Sequence, residues 1–116
     1  MTVAEITIAE KLGRFIKADD QYCLELLRFF GGYPRTRFNR LAVIHALNVN
    51  GGRLYIERAL RQLVDKGMIR ISMDNNVPIY SLTEDEPLRS LAAELAKLDW
   101  PQWQLLLRQT FSTPVE

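Results

Sequence analysis

The segment Ile56-Glu-Arg-Ala-Leu60-Arg-Gln-Leu63-Val-Asp-Lys-Gly67-Met-Ile69, followed ten residues later by Ile79-Tyr-Ser-Leu-Thr83, decides how this chain is read. Ile56, Leu60, Leu63 and Val64 recur at i, i+4, i+7 and i+8, the signature of a helix with one apolar face. That helix starts at Arg53 or Leu54, runs to about Lys66 and ends at Gly67, a residue free to turn left-handed. The period then changes from 3.6 to 2. Ile69 and Ile71 alternate with Arg70 and Ser72, Asp74-Asn75-Asn76 supplies turn residues, and Ile79 to Leu82 forms a second strand. The pattern predicts a β-hairpin whose loop is somewhat longer than two residues.

Working upstream, Asn48-Val-Asn50-Gly51-Gly52 is a turn, and before it Asn39 is the expected N-cap of a helix with Leu41, Ile44 and Leu47 inward. Arg35 to Phe38 reads as a short strand. Tyr22, Cys23, Leu26, Leu27 and Phe30 mark an earlier helix, with Gly31-Gly32 as its stop. Capping-box spacings at Thr2–Glu5 and Thr7–Glu10 start an N-terminal helix with Ile8, Leu12, Phe15 and Ile16 on one stripe. Downstream, Thr83-Glu-Asp-Glu86 is read as another capping box, with Pro87 in the first helical turn and Leu88, Leu91, Ala92, Leu95 and Leu98 inward. Asp99-Trp-Pro-Gln102 begins a last helix carrying Trp103, Leu106, Leu107 and Phe111, and Ser112 to Glu116 is expected to fray.

With 116 residues, 47% hydrophobic and 25% charged, the chain suits one core and a single domain over residues 1–116. Its parts are an N-terminal helix (1–18), a core (19–84) and C-terminal helices (85–111). One cysteine excludes an intrachain disulfide, and one histidine beside it leaves no His/Cys metal cluster. No apolar run approaches the ~18 residues of a membrane span, and Met1-Thr-Val-Ala-Glu5 lacks the features of a signal peptide. The expectation is a cytoplasmic protein with no cofactor.

The formal net charge of +1 conceals a basic centre. Residues 28–70 carry nine basic groups, all arginine but Lys66, against Glu57 and Asp65, for a net of +7. Residues 1–27 net −2 and residues 71–116 net −4. A polyanion is therefore attracted to one part of the molecule and repelled by the rest, unless the centre is only a solvated basic face.

Helix, glycine-containing turn, helix and hairpin, in that order, resemble the winged helix-turn-helix domain of bacterial and archaeal transcription regulators of the MarR and ArsR type. The similarity covers about residues 20–84. It rests on the inward residues from Ile56 to Ile69, with Gly67 as helix stop, and on Ile79-Tyr-Ser-Leu-Thr83 closing the wing. The resemblance implies a mainly α fold with a small β-hairpin, a winged helix-turn-helix with extra N- and C-terminal helices. It further implies a dimeric, non-enzymatic regulator that binds double-stranded DNA through helix 53–66 in the major groove. Arg53, Tyr55 and Arg58 become base-reading candidates, with Arg61 nearer phosphate. Arg35, Arg37 and Arg40 become phosphate candidates, together with turn amides near Asn50.

Two features temper that assignment. Glu57–Arg61 and Arg61–Asp65 are both i, i+4 and suit surface ion pairs, whereas Arg53 and Arg58 have weaker local partners. The wing tip, Met73-Asp-Asn-Asn-Val-Pro78, holds an acid and no base, so binding rests on the two helices. The alternative is a winged-helix protein-interaction module that binds no DNA. The terminal helices, with Trp100, Trp103, Leu106, Leu107 and Phe111, either complete the chain's own core or join two copies; a homodimer is the preferred reading. Cys23 reads as a buried hydrophobe and His45 as a border residue rather than as a nucleophilic pair.

Overall fold

The computed structural model describes residues 21–47 and 52–111, the last three of these by backbone alone. The expected helix over 1–18, the turn with Asn50 and the terminal segment 112–116 lie outside the described residues. Among the described residues five helices and three strands follow one another: α1 (Gln21–Gly32), β1 (Phe38–Asn39), α2 (Arg40–Leu47), α3 (Arg53–Asp65), β2 (Ile69–Asp74), β3 (Val77–Leu82), α4 (Glu86–Lys97) and α5 (Trp100–Phe111). The fold is mainly helical with one small antiparallel sheet in the order β1-β3-β2. No described helix is long and apolar enough to cross a membrane.

Helix α1 is the hub. Cys23, Leu24, Leu26, Leu27 and Phe30 are buried, a face wide enough to meet α3 on one side and α4 on the other. Gly31 and Gly32 are the last two residues of α1, which ends at Gly32 as expected, though neither turns left-handed. A β-carbon on Gly31 would overlap the main-chain carbonyl of Ala92, so α1 and α4 touch backbone to backbone there. This glycine serves close approach and not a turn. Beyond it, Phe29, Phe30, Tyr33 and Phe38 stack around one another with ring centroids 4.9–5.9 Å apart. Offset and edge-on ring contacts of this kind fix the path from α1 into β1. The strand itself is only Phe38–Asn39, paired with Tyr80 and Ile79, and not the 35–38 stretch expected.

Asn39 caps α2 as its residue type suggests: its side-chain oxygen accepts from the Ala42 amide at 2.8 Å. Val43 and Ile44 form the buried line of α2, and Leu41, expected to point inward, stays 56% exposed. With the buried line centred between residues 43 and 44, the helical period carries Leu41 onto the flank.

Helix α3 buries Ile56, Ala59, Leu60 and Leu63. It ends as its glycine predicts, with Gly67 at φ +77°. The Gly67 amide donates to Val64 O at 3.0 Å and the Met68 amide to Leu63 O at 2.9 Å, which satisfies two carbonyls of the last turn.

The hairpin is tighter than its sequence suggested. Asp74 pairs with Val77, and Asn75 and Asn76 alone make the turn, both left-handed at φ 50° and 66°. Two consecutive left-handed residues match the right-handed strand twist, and asparagine tolerates that region better than most residues. Pro78 is accommodated inside β3 because it faces Met73 in the pair next to the turn-closing one, where the strand's amides point away from the partner.

Thr83 does not cap α4 through a box with Glu86. Its hydroxyl accepts from the Asp85 amide at 3.1 Å, and Asp85 takes the N-cap position ahead of Glu86 and Pro87. The reciprocal box forms one helix later. Gln102 donates its amide to Asp99 Oδ1 at 2.8 Å, and the Asp99 amide donates to Gln102 Oε1 at 3.0 Å. Trp103 and Leu106 of α5 then enter the chain's own core.

Candidate nucleic-acid interface

The outward side of α3 follows from its inward side. With Ile56, Ala59, Leu60 and Leu63 buried, a 3.6-residue period places Leu54, Arg58, Arg61 and Asp65 on the outermost line. All four are exposed, and neither Arg58 nor Arg61 makes a hydrogen bond or ion pair with the described residues. Arg53 differs. Its Nε lies 3.3 Å from Glu57 Oε1, in a pair whose side chains are 56% and 29% exposed. Glu57 thus turns back to Arg53 instead of forward to Arg61, which reverses the pairing that spacing suggested. An exposed pair of this kind contributes at most about 0.5 kcal/mol, so a phosphate competes with it readily.

Tyr55 stands on the flank of α3 facing α1, where its ring stacks on Tyr22 at 5.4 Å and 8°. Gln62 shares that flank and accepts a hydrogen bond from Cys23 Sγ at 3.3 Å. Both side chains are engaged with α1, and the free cations occupy the line beside them. Cys23 is buried and His45 exposed.

The remaining candidates divide between two places. Arg40, the first residue of α2, shares with Arg61 a narrow groove that Glu57, Val64, Ile71 and Tyr80 complete. Arg35 and Arg37 lie elsewhere, in a larger hollow with Arg70 and Arg89. Strand alternation separates the two. Ile71 and its partner Tyr80 look toward α3, whereas Arg70 and its partner Ser81 face the opposite side of the hairpin. The phosphate set read from sequence is therefore split, with Arg40 beside α3 and the other two across the sheet. Asn50 lies outside the described residues.

Arg28 leaves the basic surface altogether. Its guanidinium rests over the Trp103 ring at 4.7 Å and donates to Leu98 O at 3.0 Å, joining α1 to the α4–α5 corner. The β2–β3 hairpin is acidic at Asp74 and exposes Ile71, Met73 and Val77.

Sequence reasoning missed Leu54, 75% exposed in the first turn of α3, and the arginines at 70 and 89. Leu54 was recoverable, because it falls off the stripe set by Ile56 and Leu60. Arg89 was not, because it belongs to the acidic third of the chain and reaches Arg35 and Arg37 only through packing. A third hollow, of about 450 Å³ and mostly apolar, is lined by Phe29, Tyr33, Leu47, Trp100 and Trp103. Among the described residues no group of three His, Cys, Asp or Glu side chains stands ready to hold a metal. No family profile, no curated protein and no solved structure matches this chain.

Proposed function

We propose that this chain is a winged helix-turn-helix transcriptional regulator of the cytoplasm, a homodimer that binds double-stranded DNA with α3 in the major groove. One observation carries the reading: Arg58 and Arg61 occupy the outermost line of α3, exposed and without ion-pair partners among the described residues, with Arg40 across the adjoining groove. The major groove admits one helix, and arginine matches the two acceptors of guanine or a phosphate with paired donors. Arg58 reads base edges, Arg61 and Arg40 hold backbone phosphates, and Leu54, one turn before Arg58, suits a thymine methyl. The order α2, α3, hairpin, with β1 closing the sheet beside β3, supports the winged-helix assignment. The acidic wing tip adds nothing electrostatically, so specificity rests on α3.

Fluorescence anisotropy with a labelled random duplex tests this reading. Binding is expected at low salt, weakening as a line of log affinity against log salt with a slope of about −2 per protomer for two phosphates neutralised. Micromolar protein that leaves the duplex free at low salt overturns it. A second reading, a protein-interaction module, is favoured by two exposed leucines, Leu54 at 75% on α3 and Leu41 at 56% on α2. On that reading Leu54→Asp abolishes partner capture while Arg58→Ala has little effect.

The dimer uses the terminal helices. Trp103 and Leu106 are spent on the chain's own core, which leaves Trp100 (65% exposed) and Leu105 on the outer surface of α5. Light scattering is expected to give twice the chain mass, and Trp100→Ala to shift the population toward monomer. A monomeric mass of the parent at high concentration removes the dimer.

A further inference from the structure

We propose that the arginine-lined hollow across the sheet from α3 is a binding site for a phosphorylated small molecule of nucleotide size. Its volume is about 820 Å³. That is within the range of small-molecule sites and far more than a lone phosphate fills.

Four guanidinium groups from three separate elements converge on it: Arg35 and Arg37 from the loop after α1, Arg70 from β2 and Arg89 from α4. Only Glu84 and Glu86 oppose them, so the walls carry a formal +2. Four like charges around one hollow raise the energy of its empty state, and an entering anion relieves it.

The four are not equivalent. Arg89 is fixed by donating to Pro34 O at 3.0 Å, and so holds the loop that carries Arg35. Arg70 is paired with Glu84 at 3.1 Å, but both side chains are well exposed, at 58% and 76%, so a phosphate can divide the pair. Arg35 and Arg37 make no hydrogen bond or ion pair with the described residues and are free for a doubly held phosphate.

The rest of the lining names the remainder of the ligand. Ser72 and Ser81 offer hydroxyls, and Glu84 and Glu86 accept hydrogen bonds from hydroxyl or amino groups. A nucleotide or a sugar phosphate brings several neutral hydroxyl or amino groups to these acceptors, whereas the phosphodiester backbone of a DNA duplex has no free hydroxyl to offer Glu84 and Glu86, so a free small molecule fits this hollow better. Ile71 borders both this hollow and the groove beside α3, but no α3 residue lines the hollow, so it does not depend on the DNA reading of α3.

Isothermal titration of the full chain with ATP and with pyrophosphate, without divalent metal and at low salt, tests the site. One saturable site of about 0.1 mM or tighter is expected for ATP, weakened at least tenfold by the double change Arg35→Ala and Arg37→Ala. The double change Arg58→Ala and Arg61→Ala should leave ATP binding as in the parent. The proposal is overturned if neither ligand saturates the chain up to about 5 mM. It is also overturned if the Arg58 and Arg61 variant, and not the Arg35 and Arg37 variant, loses ATP. If a duplex displaces ATP and the Arg35 and Arg37 variant loses duplex affinity, the hollow serves backbone phosphate and the small-molecule assignment fails. A chain that binds ATP but no duplex disproves the regulator reading alone.

Discussion

Gly31→Ala is expected to destabilise the protein by about 3 kcal/mol, the upper end of what an extra methyl costs in a packed interior. The added carbon would meet the carbonyl carbon and oxygen of Ala92 and come within 3.0 Å of the Ala93 amide nitrogen. These are main-chain atoms, which no rotamer change can move, so α4 must shift along its whole contact with α1. In a domain of this size each kcal/mol is about 4–5 °C in Tm, which predicts a fall of roughly 10–15 °C. The neighbouring position behaves oppositely. A β-carbon on Gly32 meets only the side chain of Ala96 at 3.9 Å, and its φ is not left-handed. Alanine there removes backbone freedom from the unfolded chain and should stabilise by about 0.5 kcal/mol. Thermal unfolding of the two single variants checks both signs; equal Tm values would show that the α1–α4 contact is looser than the structure has it.

The second large effect concerns α3. Replacing Arg58 and Arg61 together by alanine is expected to weaken duplex binding roughly 100-fold, or about 3 kcal/mol, if one reads a base and one holds a phosphate. Thermal stability should barely change, since both side chains are exposed and make no polar contact with the described residues. The salt slope should also fall by about one unit, reporting the lost phosphate contact. Arg53→Ala is the informative comparison: breaking its pair with Glu57 frees a carboxylate near the groove, so a modest loss is expected. Anisotropy on the three proteins separates these outcomes. Parent-like affinity in the double variant would remove α3 from the duplex interface and leave the exposed Leu54 and Leu41 as the residues to test against protein partners.

The residues that were legible in the sequence share a property: their fate depends on neighbours within a few positions. Asn39 caps because its own side chain reaches the Ala42 amide, and Gly67 ends α3 because only the local backbone must turn left-handed. Ile56, Leu60 and Leu63 point inward because a helix repeats every 3.6 residues. The hairpin was legible as a hairpin, yet its loop was misread because Asn75 and Asn76 can both be left-handed, and Asp74 was then free to pair.

The misassigned residues depend on partners far along the chain. Gly31 resembles Gly67 in sequence but answers to Ala92, some sixty residues away. Glu57 has arginines at equal spacing on either side, and which one it meets is set by rotamers, not by distance in sequence. Arg35, Arg37 and Arg40 look like one basic run, but β1 and the turn before it send two to one side of the sheet and one to the other.

Sequence alone thus determined the kinds and order of the elements, because hydrophobic period, caps and turn residues act locally. It also determined that the charge is concentrated between residues 28 and 70. Only the tertiary structure decided which of those arginines share a surface, since that depends on how helices and strands from distant parts of the chain pack. Close packing laid Arg28 over Trp103, left Arg58 and Arg61 outermost on α3, and drew Arg89 from an acidic segment to Arg35 and Arg37.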